Sequence, residues 1–133
     1  PYLTAEHLDT PLDFGPLEKL GSRFGTAGVT VFDEETCMVA VTLNLIRFFA
    51  RESCGWCTPC RDGLPYVAWL LEQFEQGEAT EEHLENLRGQ FRNIAGRSFC
   101  ALAEGAMGPV EGLFNCFEEE LVDHIKKGRC PFK

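Results

Sequence analysis

Cys54, Cys57 and Cys60 set a thiol at every third position of Cys54-Gly55-Trp56-Cys57-Thr58-Pro59-Cys60. Thiols this close in sequence are poorly placed to bridge one another and well placed to share a metal centre. A 4Fe–4S cube takes four thiolates, one per iron, and a tight loop can wrap three of its corners. Gly55 admits backbone conformations that a Cβ forbids, while Pro59 fixes one φ and withholds a competing N–H. The remaining N–H groups are then free to point at sulfur, which favours the reduced, more negative cluster. Zinc is the competing reading. All-cysteine zinc sites usually pair two Cys-x-x-Cys knuckles, whereas here three cysteines crowd one loop. A thioredoxin-like dithiol has no use for a third, equally spaced thiol. The bacterial ferredoxin run continues with a Cys after three more residues; Leu64 stands there, so the chain holds material for one cluster.

The fourth corner must come from Cys37, Cys100, Cys116 or Cys130. Cys100 lies in Arg97-Ser98-Phe99-Cys100-Ala101-Leu102, a stretch that reads as a loop and can aim a side chain into a site. Ala101 and Ala103 leave it room, so the pattern favours Cys100. Cys116 falls beside the apolar stripe of a helix and reads as a small buried hydrophobe. Cys37 precedes a helix and Cys130 lies in the C-terminal stretch; both are expected not to ligate. Seven cysteines are an odd number, so a purely intramolecular disulfide framework leaves one over, and the crowded triplet reads as reduced thiols in a reducing compartment.

Helices must position these thiols. Val39, Leu43, Ile46 and Phe49/Ala50 fall on one face of a helix from Met38 to about Arg51. A second helix is expected from about Leu64 to Gln76, with Pro65 in its first turn, Val67, Leu70, Leu71 and Phe74 inside, and Gly77 as its stop. Thr80 reads as the N-cap of a third, with Leu84, Leu87, Phe91 and Ile94 inside and Gly96 after it. A fourth is expected to start at Pro109 and to run past Val110, Leu113, Phe114, Phe117, Leu121 and Ile125 to Gly128. The fold class predicted is mainly α, a four-helix bundle over residues 35–133 carrying one cluster. Residues 1–34 read differently. Pro1, Pro11 and Pro16, then Gly15, Gly21, Gly25 and Gly28, precede a β-branched run, Val29-Thr30-Val31-Phe32, which predicts turns leading into one strand. A lone strand has no partner for its backbone groups, so this stretch is expected to be the tail of a domain whose body lies outside the sequence.

Composition narrows the function classes. The chain has 133 residues, 44% hydrophobic and 25% charged, which is globular. Twelve Lys+Arg against 21 Asp+Glu give a net charge of −9, which argues against nucleic-acid binding and against adhesion to an anionic membrane surface. No apolar run approaches the ~18 residues of a spanning helix, so no direct membrane insertion is expected. The sequence opens on Pro1, with no signal peptide, and reads as a processed product or a piece of a longer polypeptide.

Ala50-Arg51-Glu52-Ser53-Cys54-Gly55-Trp56-Cys57-Thr58-Pro59-Cys60-Arg61-Asp62-Gly63 resembles the iron–sulfur motif in the family of NADH-binding, flavin-carrying subunits of respiratory complex I. Ser98-Phe99-Cys100-Ala101 resembles the family's distal ligand motif, which implies Cys54, Cys57, Cys60 and Cys100 as the four ligands of one 4Fe–4S cluster. Gly21-Ser22-Arg23-Phe24-Gly25-Thr26-Ala27-Gly28, followed by Val29 and Asp33, is similar to the end of the family's β-grasp (ubiquitin-like, SLBB-like) domain. The resemblance implies a parent enzyme that oxidises NADH, passes hydride to FMN and sends single electrons through this cluster toward other clusters and quinone. It implies no catalytic acid or base on this chain and places the FMN and NAD sites in a missing N-terminal part. Gly21, Gly25 and Gly28 do not make Gly-x-Gly-x-x-Gly and lead into no helix that could receive a phosphate. The implied partners are the other hydrophilic-arm subunits, including neighbouring iron–sulfur subunits. The implied location is peripheral, on the cytoplasmic side of a bacterial inner membrane or the mitochondrial matrix side. Two other readings stay open: the diaphorase component of a soluble NAD-linked formate dehydrogenase or hydrogenase, and a non-redox zinc-stabilised interaction module.

Other polar residues read as structure. His7, His83 and His124 are scattered, with surface or cap roles expected. Arg51 and Arg61 flank the loop, either offsetting cluster charge or pairing with Glu52 and Asp62. Glu118-Glu119-Glu120 reads as a solvated helix face. Trp56 either shields the cluster from water or packs on a partner.

Overall fold

The computed structural model describes residues 2–133. Its order is a short 3-10 turn, Ala5–His7, then α1 (Phe14–Lys19), α2 (Met38–Glu52), α3 (Thr58–Arg61), α4 (Gly63–Gln76), α5 (Glu81–Ile94) and α6 (Ala101–Lys127). The fold is mainly helical, and there is no strand among the described residues. None of their helices is long and apolar enough to cross a membrane.

The apolar periodicity lands where a core needs it. Val39, Leu43 and Ile46 of α2, Val67, Leu70, Leu71 and Phe74 of α4, and Leu84, Leu87 and Ile94 of α5 are all buried in one cluster with Val110, Leu113 and Leu121 of α6. Burying a side chain of this kind contributes about 1.5–3 kcal/mol. α2 lies against α4 and α6, and α5 packs on both α4 and α6. An Arg47–Glu72 ion pair of 2.7 Å ties α2 to α4 at the surface.

Helix ends follow local chemistry. Asp13 caps α1 by accepting from the Phe14 N–H at 2.8 Å. Thr80 caps α5, with His83 reaching back to the Thr80 N–H at 3.0 Å. His7 makes the same box with Thr4. The cap roles expected of His7 and His83 are thus met. Gly77 ends α4 at φ 78° in the left-handed region, where Glu78 N–H donates to the Gln73 carbonyl at 2.9 Å.

Two expectations need correction. Pro109 does not start the last helix. It sits inside α6, which begins at Ala101, and α6 breaks instead at Phe117, with φ −137° and ψ 26°. Ala103, Ala106 and Met107 are buried on the near side of Pro109 and Val110 and Leu113 on the far side, so packing on both sides holds one helix through the proline. Val29 to Phe32 forms no strand. Val31 is 88% exposed and Val29 60%, so no neighbouring backbone within the described residues covers this run. Pro1, counted among the turn residues, lies outside the described residues. The N-terminal segment nevertheless docks on the helices: Tyr2 Oη and Thr42 Oγ1 share a 2.7 Å hydrogen bond, and the Tyr2 ring meets Phe117 edge-on at 5.8 Å.

Candidate metal centre

The cysteine loop joins α2 to α4 through the single turn α3. Ser53 ends α2 in extended conformation, and Gly55 takes φ 78°, the left-handed conformation that its lack of Cβ allows. Pro59 lies in the first turn of α3, where a missing N–H costs nothing. The Cys57 carbonyl accepts from the Cys60 and Arg61 N–H groups at 3.1 and 2.8 Å, and Gly55 N–H donates to Ser53 Oγ at 3.3 Å. These three N–H groups are therefore not free for sulfur. Arg61 straps the loop by donating to the Gly55 carbonyl at 3.1 Å while pairing with Asp62 at 3.0 Å. The hydrogen bond and charge of Asp62 raise the Arg61 pKa, so it stays cationic beside the loop.

Of the triplet, Cys60 is buried, Cys57 half-buried and Cys54 exposed. Ser53 Oγ lies 3.2 Å from Cys60 Sγ. Cys100 is exposed and forms the N-cap of α6. One contact brings the distal segment onto the loop: the Phe99 N–H donates to Cys57 Sγ at 3.5 Å. Next to it, Ser98 Oγ is buried without a hydrogen-bond partner, the only such side-chain atom among the described residues. A buried hydroxyl without a partner two residues before Cys100, an N–H aimed at Cys57 Sγ and a glycine in a left-handed turn fit a sulfur-rich group held there. Cys116 is exposed on α6, one residue before the break at Phe117, against the expectation of a buried side chain.

A second group was not legible in the sequence. His124, expected to be a surface or cap residue, is 0% exposed. Its Nε2 lies 3.4 Å from Glu75 Oε1 and 3.6 Å from Cys37 Sγ, and the Cys37 thiol donates to Glu75 Oε1 at 2.9 Å. Cys130 completes a set whose four ligand atoms all lie within 4.8 Å of one another. Glu75 also pairs with Lys133. The His124 hydrogen bond holds the Glu75 carboxyl far below the usual carboxylate range, helped by Cys37 and Lys133. Burial, and then Glu75, push the Cys37 thiol far up. For His124, burial pulls the pKa down, but its bonds to Glu75 and the Glu120 carbonyl outweigh this and leave it raised. The signal that could have found the group is modest: His124 sits three positions after Leu121, on the buried stripe.

Residues 40–124 match the family model described as the NADH-ubiquinone oxidoreductase-F iron-sulfur binding region. The F subunit of NADH-quinone oxidoreductase from Escherichia coli K12 is 46% identical over 95% of this chain and 28% of that protein. Its namesake in Mycobacterium tuberculosis H37Rv is 41% identical over 99% of this chain and 30% of that protein. The chain thus spans under a third of the length of the curated relatives it matches. Among solved structures, an NAD+-reducing NiFe hydrogenase in its H2-reduced state superposes with a TM-score of 0.65 at 35% identity, covering 76% of this chain and 17% of that one. A family match across most of the helical portion, joined to this level of identity, places the chain in the NADH-ubiquinone oxidoreductase-F iron–sulfur binding region family.

Proposed function

We propose that this chain is the electron-transfer module of an NADH:quinone oxidoreductase component, holding one 4Fe–4S cluster on Cys54, Cys57, Cys60 and Cys100. When bound, the cluster supplies a one-electron site between the FMN of the parent subunit, reduced by NADH, and the clusters that lead to quinone. The chain's own residues hold and tune that site. Gly55 turns the loop, Arg61 straps it and stays cationic, and Ser98 Oγ and the Phe99 N–H offer hydrogen bonds to sulfur. In this reading residues 35–133 are a four-helix bundle that carries the cluster, and residues 1–34 are the end of a β-grasp domain. FMN and NAD bind in a part of the parent subunit outside this chain. Its partners are the other hydrophilic-arm subunits, and it lies peripherally on the cytoplasmic side of a bacterial inner membrane or on the matrix side in mitochondria. Trp56, 77% exposed beside the loop, fits a contact with such a partner better than burial over the cluster.

The observation that carries the ligand set is the Phe99 N–H to Cys57 Sγ contact, which draws the Cys100 segment to the triplet. The test is iron and acid-labile sulfide per chain under anaerobic conditions, with about four of each expected. Cys100→Ala should bleach the visible spectrum and Cys116→Ala should leave it intact. The reverse pattern would overturn the assignment. A second reading, the diaphorase component of an NAD-linked hydrogenase, draws support from the hydrogenase superposition. Electron-acceptor assays on the parent complex separate the two: quinone reduction supports the first reading, and hydrogen-linked NAD reduction the second.

A further inference from the structure

At the end of the helices opposite the cysteine loop, Cys37, Glu75, His124 and Cys130 converge from four separate segments: the N-cap of α2, the end of α4, the end of α6 and the C-terminal stretch. We propose that these four side chains bind one divalent zinc-class ion that clasps the far end of the helices. The site is independent of the iron–sulfur assignment and shares no ligand with it.

The donor set suits zinc. Two thiols, one imidazole and one carboxylate are all zinc ligands, and a tetrahedral ion with bonds of about 2.0–2.3 Å holds its ligand atoms roughly 3.3–3.8 Å apart. The separations of 2.9, 3.4 and 3.6 Å among Cys37, Glu75 and His124 already lie near that range, with Cys130 inside the same 4.8 Å group. Three of the four ligands are buried and Glu75 is half-buried, so water does not compete freely for the ion.

The surroundings orient the ligands as an outer shell does. His124 Nδ1 lies 2.8 Å from the Glu120 carbonyl, which can only accept. Nδ1 therefore carries the proton, and Nε2 is the atom that faces Cys37 and Glu75. Cys37 Sγ accepts the Ala40 N–H at 3.3 Å, a hydrogen bond that a metal-bound sulfur would keep. The other Glu75 oxygen is held by the Lys133 ammonium. A divalent ion with two thiolates and one carboxylate carries a net charge of −1, which Lys133 neutralises. Two metal–sulfur bonds form as two S–H bonds break, both protons leave to solvent, and no electron moves. Without the ion the same atoms form a hydrogen-bonded polar knot, which is the competing account.

The experiment uses the full-length subunit within its purified complex, loaded with zinc and washed of excess. Zinc and iron are counted for the wild type and for Cys130→Ser, His124→Ala and Cys116→Ala. The wild type and Cys116→Ala should each hold one more zinc per subunit than Cys130→Ser and His124→Ala, with iron equal in all four. Equal zinc in all four would overturn the site. If the two ligand variants fail to assemble, X-ray absorption at the zinc edge of the wild-type complex decides. A zinc-edge difference spectrum between complexes with and without this subunit should contain a shell with two sulfurs. Its absence would reduce the cluster to a hydrogen-bonded knot and overturn the proposal.

Discussion

Glu120 joins the end of α6 to the start of α2. Its Oε1 accepts from the Met38 and Val39 N–H groups at 2.8 and 3.2 Å, filling the donor positions that a helix start leaves open, while its carbonyl orients His124. As part of a Glu-Glu-Glu run it promises only solvent, and Glu118 likewise turns out to pair with Arg88. Long-range partners of charged side chains cannot be seen in one sequence, because they depend on which helix ends meet. Gly77 belongs to the same junction. A Cβ there would stand 2.2 Å from the Gly128 carbonyl oxygen, and its φ of 78° already excludes most side chains. Gly77→Ala should therefore destabilise the domain by about 2–4 kcal/mol, read as a lower urea midpoint at unchanged m. Gly89, inside α5 with open space around its Cβ position, is the control. Gly89→Ala should raise the midpoint by about 0.5–1 kcal/mol equivalent. A loss at Gly77 no larger than a few tenths of a kcal/mol would mean that the junction yields.

The elements differ in how much they owe to a cluster. α5 buries Leu84, Leu87 and Ile94 and packs on α4 and α6, so it is expected to keep most of its order without iron. Between Ser53 and Asp62 only Cys60 is buried, so the loop has almost no apolar burial to hold it. Where a site is not preformed, ligand binding energy becomes folding energy. Amide hydrogen exchange on cluster-loaded and cluster-free protein should show protection lost mainly from Ser53 to Gly63 and around Cys100, with smaller losses from Leu84 to Ile94. Uniform loss would mean that the whole domain depends on the cluster, and no loss would mean that the loop is ordered without it. This division explains what the sequence made legible. α2, α4 and α5 carry strong 3.6-residue stripes with a cap or glycine stop, and each lies within a residue or so of its expected bounds. The start of α6 is hidden because proline is common at a helix N1 and the small residues before it, Gly105 and Gly108 among them, have weak helical propensity. Tertiary packing of Ala103, Ala106 and Met107 overrides both signals. The Cys54–Cys60 spacing is legible because its three cysteines are local in sequence. The Cys37–Cys130 group is not, because its members are distant in sequence and meet only when three helix ends do.

At the scale of the whole molecule the cysteine loop and the buried Cys37 group sit at opposite ends of α2, α4 and α6. α2 alone, with 15 residues, spans about 22 Å between them. The helices act as struts: one end carries the cysteine loop, and the other fixes where the struts begin and end. Hydride chemistry needs a different apparatus, a glycine-rich turn feeding a helix N-terminus that receives phosphate. The described residues offer glycines at positive φ at Gly21 and Gly25, but after Gly28 the chain runs through coil and turns before α2 starts at Met38, so the glycines do not feed directly into a helix N-terminus that could receive a phosphate. Electron storage and hydride acceptance are therefore expected to separate on dissection. The purified 133-residue chain, with its cluster in place, should bleach on dithionite and recover its colour on reoxidation. The same sample should reduce ferricyanide with NADH no faster than a no-protein control, whereas the full-length subunit with FMN should do so readily. NADH-dependent reduction by the short chain would show that a nucleotide site lies within these residues, and the division of labour between this module and the rest of the subunit would have to be redrawn.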